Sequence, residues 1–475
     1  MLTRREFLRK IVGAAVSVAG MMTGVGAALS GCDGGEETSN TTATVHPVRT
    51  TTTAVSTSTS TTVVTGPETG RDIKIGLVSA VSGPLALHGK ADEWWVSLAM
   101  DSLADGVVCG DRRLHRFVVI TRDNRSDPGF AAKAAADLIL DARVDMVLCS
   151  GGTDLVVPVA AQAEKLLCPC LCSFVQWRPF VAVRGETVDR PPIWAYAHAV
   201  GLEDIVADLT AAWDRLDTNR KVGLLFADNV AGRAWADSAT GLPPAAAAAG
   251  YECVPAGLYP ASLGDFTSYV SEFKKNGCEI FCGTFAPRDF FDFWRQSLEQ
   301  KFQPKIVTVG EGLIFPHALE ALGRSARNMT AECLWQPDWP YQDSITGRTC
   351  YELAKDYMAK TGDQWTPAIA QYADFEWAVD VFRRVIDLNS RREIIGKVAA
   401  TEMDSCLGPI DFTAPVDTSG RSRSRRPAAN VYKAPVGVAQ WVEGEAFGFE
   451  PRLVSAVGSP RLTATGGLQP MRYGP

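Results

Sequence analysis

From residue 73 onward the chain alternates short apolar runs with longer stretches of helical spacing. Met146–Cys149 is one such run, unbroken by a polar residue, as fits a strand buried on both faces of a parallel sheet. Ser150-Gly151-Gly152-Thr153 follows, a turn with two glycines and two hydroxyls. Pro158 then suits the first position of a helix that continues through Val159–Leu167. A strand ending in a glycine-loosened loop and a helix N-terminus makes a crevice in open α/β sheets, and its backbone N–H groups can hold a carboxylate. The same residues equally describe a plain turn whose glycines serve geometry alone.

The alternation predicts a first series of strand Ile73–Ser79, helix Ala91–Leu103, strand Phe117–Arg122, helix Ala131–Leu140, the stretch just described, and strand Cys170–Phe174. Past Gly201 it predicts a second: helix Leu202–Leu216, strand Val222–Phe226, an Ala-rich helix ending near Gly250, and strand Glu252–Val254. Helix Phe266–Asn276, strand Glu279–Cys282, helix Asp289–Gln300 and strand Lys305–Val309 continue it. Two such series predict an α/β protein with two Rossmann-like lobes built on parallel sheets. Two long helices, Cys350–Thr361 and Ile369–Leu388, suggest a return to the first lobe, and Val436–Val442 reads as a late strand.

The N-terminus has a different pattern. Thr3-Arg4-Arg5-Glu6-Phe7-Leu8-Arg9 is a twin-arginine export signature, and Ile11–Leu29 is weakly apolar. Leu29-Ser30-Gly31-Cys32 resembles a bacterial lipobox, in which Cys32 would carry the lipid. The alternative is an uncleaved anchor, for which the segment is about long enough. Three features in order, followed by a flexible stretch, favour a lipoprotein signal over residues 1–32. Thr38–Thr65 is mostly Thr and Ser and cannot bury a core, so residues 33–70 are expected to form a disordered tether reaching about 30 Å.

About four hundred residues remain, too many for one core, which agrees with two lobes. The net charge of -7 argues against nucleic acid as a partner. No later apolar run approaches membrane-spanning length, which predicts a soluble body. Of twelve cysteines, setting aside Cys32 leaves eleven, an odd number for an exported chain. Cys168-Pro169-Cys170-Leu171-Cys172 offers three thiols on one strand face, either a soft-metal site or small core hydrophobes. No histidine supports a metal: the five stand at 46, 88, 115, 198 and 317. There is no G-x-S-x-G, no Walker loop and no G-x-G-x-x-G after a strand, so no enzyme and no cofactor are expected.

Six pieces, in order, carry a resemblance: IKIGLVSAVSGPLALHG (Ile73–Gly89), RDNRSDPGFAAKAAADLI (Arg122–Ile139), LCSGGTDLVVPVAAQAE (Leu148–Glu164), KVGLLFADN (Lys221–Asn229), DFTSYVSEFKKNGCEIFCGTF (Asp265–Phe285) and VGEGLIFP (Val309–Pro316). The chain resembles the branched-chain amino-acid-binding family, type I periplasmic binding proteins that serve ABC importers. The resemblance implies two lobes joined by three crossovers, placed near Val200, Trp335 and Gly408. That makes residues 71–200 plus 335–408 one lobe and 201–334 plus 409–475 the other.

It also implies a small-molecule ligand held between the lobes. His88 stands where many relatives place an aromatic. Ser150, Gly151, Gly152 and Thr153 would supply hydroxyl and N–H groups to a ligand carboxylate. Phe285 would cover the ligand from the second lobe, and Glu311 would take an ammonium group. Gln176 and Trp177 replace a smaller loop, and Trp177 either stacks on the ligand or packs between lobes. Cys149 stands where relatives have half of a disulfide, and Ser126 occupies the partner position. Trp94 and Trp95 share a helix, one of them expected in the core, while Trp335 and Trp339 flank a crossover.

The function implied is capture of a small amphipathic solute, an amino acid or an aromatic or organic acid, for ABC permease subunits. The protein would act as a monomer, lipid-anchored on the outer face of the cytoplasmic membrane. A sensor of the same fold is the alternative.

Overall fold

The computed structural model describes residues 66–182, 185–419, 424–445 and 447–473. The export signature, Cys32 and Thr38–Thr65 lie outside the described residues. The folded body starts slightly before residue 71: Leu114 N–H donates to the Glu68 carbonyl, and Gly70 N–H donates to the Leu114 carbonyl, each at 2.8 Å.

Two sheets organise the body. The first has six strands in the order Val431–Lys433, Ala195–Val200, Cys170–Gln176, Met146–Cys149, Ile73–Ser79 and Phe117–Asp123, all parallel. Met146–Cys149 is buried at every position, which is why it reads as a continuous apolar run. The second sheet has seven strands in the order Phe449–Ser455, Gly437–Glu443, Thr330–Cys333, Ile306–Gly310, Ile280–Thr284, Lys221–Ala227 and Glu252–Tyr259. It is parallel as far as Thr330–Cys333 and closes with two antiparallel strands. The expected two-lobed α/β architecture is therefore present.

The chain leaves the first sheet at Gly201, returns through residues 334–349, and leaves again between Lys433 and Gly437. The last passage differs from the one expected near Gly408. Gly408 lies in a hairpin, Glu402–Ser405 with Gly408–Asp411, and Val431–Lys433 still pairs with Ala197–Ala199 of the first sheet. A three-residue edge strand is too short to leave a periodic signal, and it owes its conformation to its neighbour.

Pro158 also differs. The helix runs Thr153–Leu166, so Pro158 sits inside it. The glycine pair turns the chain at once, with φ of 107° at Gly151 and 100° at Gly152, and so the helix starts directly after the loop. The predicted helix Ile369–Leu388 is a 3-10 turn, Pro367–Gln371, followed by Tyr372–Arg384.

In each sheet one neighbouring pair of strands sends its connections in opposite directions. These pairs are Ile73–Ser79 with Met146–Cys149, and Lys221–Ala227 with Ile280–Thr284. Ligand crevices form outside the carboxyl ends of such pairs. Ser150–Gly152 and His88 follow the first pair, and Asn229–Val230 and Phe285 follow the second.

Candidate ligand-binding site

At the carboxyl ends of the first-lobe strands, Ser79, Ser150 and Ser173 are all buried. Ser173 Oγ lies 3.1 Å from Ser150 Oγ and 2.8 Å from Asp374 Oδ2. The Gly152 N–H donates to the Phe174 carbonyl at 3.2 Å, whereas the Gly151 N–H meets no acceptor among the described residues. Thr153 Oγ1 accepts the Gln176 N–H at 3.1 Å, so that hydroxyl ties two loops of one lobe together. His88 stands over the glycines: a Cβ added to Gly151 would come within 3.0 Å of His88 Cβ. The His88 ring meets Phe315 of the second lobe edge-on, with centroids 4.8 Å apart. Burial lowers its pKa to about 4, so the imidazole is neutral at neutral pH.

On the second lobe, Glu311 follows strand Ile306–Gly310 in a left-handed backbone conformation, φ 60°. Its N–H donates to Glu332 Oε1 at 2.8 Å. Burial pushes the Glu311 carboxyl well above its ordinary range, and the charges of Asp154 and Glu332 push the same way. Burial raises Glu332 to about 7. Glu332 and Phe315 escaped the sequence reading, since neither lies where the quoted motifs put ligand contacts.

Asp154 joins the two lobes. It sits in the first turn of helix Thr153–Leu166, and its carboxylate accepts the Val230 N–H at 2.8 Å and the Ala231 N–H at 3.4 Å. Those donors open helix Val230–Ala236 of the second lobe. Burial is the main influence on Asp154 and raises its pKa, which the two N–H bonds counter.

Gln176 and Trp177 border a cavity of about 330 Å³ shared by both lobes, lined also by Arg178 from the first and by Leu202, Val230 and Arg233 from the second. Trp177 is only 4% exposed. Its Nε1–H donates to both Glu203 carboxylate oxygens, at 2.9 and 3.1 Å, and the Arg178 guanidinium covers its ring at 4.3 Å. Glu203 in turn pairs with buried Lys433 at 3.0 Å, and Lys433 pairs with Asp204 at 2.6 Å. The indole is thus held by residues beside the crossovers at Gly201 and Lys433. Gln176 keeps its side-chain Oε1 buried without a partner among the described residues.

Phe285 lies apart from these groups. It is 1% exposed, stacks on Tyr259 at 4.9 Å, and packs against Phe266, Phe290 and Phe293 in the second-lobe core. The structure therefore sets His88 over Gly151 and Gly152, next to Ser150 in the chain, with Phe315 of the other lobe against the His88 ring, while the Phe285 ring faces its own lobe. Trp94 and Trp95 are both core residues, bonded to Asp356 and Asp92 at 2.9 Å each. Trp335 is buried at the return crossover, where its Nε1–H reaches the Cys406 carbonyl at 3.1 Å.

Cys149, Cys168, Cys170 and Cys172 are free and buried, with the Cys170 and Cys172 sulfurs 3.6 Å apart. Among the described residues no cluster of His, Cys, Asp and Glu is arranged to hold a metal, and no helix is long and apolar enough to cross a membrane.

Two lobes, each built on a wholly or largely parallel sheet, and three passages between them define the two-lobed fold. Residues 72–424 match the Periplasmic binding protein family, and the chain belongs to it. A Leu/Ile/Val-binding protein homolog 8 from Brucella abortus is 23% identical over 303 residues, 62% of this chain and 71% of its own length. The substrate-binding protein LivJ of Streptococcus pneumoniae, solved with isoleucine, superposes with a TM-score of 0.62 at 14% identity, covering 81% of this chain and 99% of its own. A solute-binding protein of an R. palustris ABC transporter, solved with 4-hydroxybenzoate, gives 0.62 at 17% identity, covering 81% and 96%.

Proposed function

We propose that this protein is an extracytoplasmic solute-binding lipoprotein that captures a small carboxylate-bearing solute between its lobes and delivers it to an ABC permease. The reading is carried by a donor-rich loop on the first lobe and, on the second, an acid with no cation paired to it among the described residues. On one side stand the Ser150 hydroxyl and the Gly151 N–H; on the other stands Glu311, whose carboxyl is raised by burial and by two neighbouring acids. A buried acid with acidic neighbours gains most from an incoming ammonium group. Isoleucine and 4-hydroxybenzoate, bound in two structures of the same fold, both carry a carboxylate, and only isoleucine carries an ammonium. His88, Gly152, Gln176 and Trp177 shape the walls around the solute. Thr153 acts through its bond to the Gln176 backbone, and Phe285 supports the second lobe from its core.

Export and anchoring rest on Thr3–Arg9 and Leu29–Cys32. The Thr/Ser-rich stretch would hold the body away from the outer face of the cytoplasmic membrane.

The test is a thermal-shift screen over branched-chain amino acids and hydroxybenzoates, followed by calorimetry. A solute that binds only the native state raises the melting temperature. Ser150→Ala should weaken either class about ten-fold to a hundred-fold. Glu311→Gln should weaken amino acids and leave hydroxybenzoates unchanged. Absence of any shift across both classes, or full affinity in Ser150→Ala, overturns the reading.

A further inference from the structure

Asp374 lies in none of the stretches that carry the family resemblance. It arrives on helix Tyr372–Arg384, after the chain has come back from the second lobe, and it is 3% exposed. Its Oδ2 lies 2.8 Å from Ser173 Oγ, which lies 3.1 Å from Ser150 Oγ. Its Oδ1 is buried with no partner among the described residues.

A serine hydroxyl carries one hydrogen. Ser173 can therefore donate to one of these two neighbours and must accept from the other. If Asp374 were ionised, the hydrogens would run from Ser150 through Ser173 to the carboxylate, and Ser150 would show the cleft a lone pair. If Asp374 is a carboxylic acid, the chain runs the other way, and Ser150 keeps its hydrogen for the cleft. The surroundings select the second arrangement. Asp92 on helix Asp92–Ser102 and Glu376 on Asp374's own helix are the titratable groups that act on it, and both are acids; Cys149 and Cys172 lie alongside. Burial above all, with Asp92 and Glu376 adding to it, pushes the Asp374 carboxyl well up, against the bond from Ser173. A bare buried oxygen is also less costly on a neutral acid than on an anion.

We propose that Asp374 is a positioning residue which, through Ser173, turns the Ser150 hydroxyl into a donor and so selects a solute whose end at Ser150 is a carboxylate. The proposal rests on the reading that Ser150 faces the solute. The Gly151 N–H, with no acceptor among the described residues, points to the same preference, because two donors side by side suit a group that only accepts.

Two measurements test it. Infrared difference spectra of the empty protein at neutral pH, parent minus Asp374→Asn, should show the carbonyl band of a protonated carboxylic acid; a carboxylate band in its place overturns the proposal. Calorimetry then compares 4-hydroxybenzoate with 4-hydroxybenzamide, and isoleucine with isoleucinamide. The parent should favour each carboxylate by about ten-fold or more, Asp374→Asn should keep that preference because its amide N–H donates in the same sense, and Ser173→Ala should lose about ten-fold for the carboxylates alone. Loss in Ser150→Ala with unchanged carboxylate preference in Ser173→Ala overturns the relay. No loss in Ser150→Ala, or a parent that binds neither pair, overturns instead the reading that Ser150 faces the solute, and the infrared arm still decides the proton on Asp374.

Discussion

Asp154→Ala removes the carboxylate that links the first-lobe helix Thr153–Leu166 to the opening N–H groups of Val230–Ala236. The bond to Val230, at 2.8 Å, is a full charge-assisted hydrogen bond, and that to Ala231, at 3.4 Å, is at the margin. Hydrogen bonds to charged groups contribute about 1.5–3 kcal/mol. Burial of the carboxylate works against this, as its raised pKa shows, so the lower end applies. The closed arrangement should lose about 1.5 kcal/mol, which is about ten-fold in the closing equilibrium.

How the loss appears depends on the resting state. If the empty protein is mostly open, Kd for a solute rises by about that ten-fold factor. If it is mostly closed, affinity changes less and the empty body expands instead. Small-angle scattering of the empty protein and calorimetry with a solute from the screen therefore belong together. Asp154→Asn keeps one acceptor but turns an amide N–H toward the second donor, so it should fall between parent and alanine. An unchanged radius together with unchanged affinity in Asp154→Ala would refute the claim that this bond helps hold the lobes together.

Trp177→Ala should destabilise the empty protein by about 3–5 kcal/mol, because the ring is buried and tied to Glu203; denaturant melts check this, and an unchanged midpoint would mean the indole packs against little. Asp92, bonded to Ser79 at 2.5 Å and Trp95 at 2.9 Å, is raised by burial from 3.8 to about 6. The folded state thus holds this proton more tightly, and its stabilising contribution of about 3 kcal/mol, present below pH 4, is lost as pH rises through 6. Asp92→Asn should flatten that fall, gaining on the parent between pH 4 and pH 7, and parallel stability curves would contradict it. Cys32→Ala should abolish incorporation of a palmitate analogue, and Arg4→Lys with Arg5→Lys should leave precursor in the cytoplasm; retained label or normal export would point to another route.

Local pattern was enough to locate much of this protein. Ile73–Ser79, Met146–Cys149 and Cys350–Thr361 occur where the hydrophobic spacing predicts them, because burial on both strand faces or on one helix face leaves a periodic record in the chain. The Ser150–Thr153 loop was legible too, since two glycines at positive φ are what a sharp turn from strand to helix requires. Tertiary structure alone decided the rest. An aromatic such as Phe285 reads the same whether it lines a cleft or a core, and the rings around it settled the matter. Val431–Lys433 is a strand only because Ala197–Ala199 lies beside it, which moves the last crossover past Gly408. Asp374 and Glu332 look like ordinary acids in the sequence. Their chemistry comes from burial beside other acids and from partners on other segments, the Ser173 hydroxyl for Asp374 and the Glu311 N–H for Glu332, and neither condition is written near them in the chain.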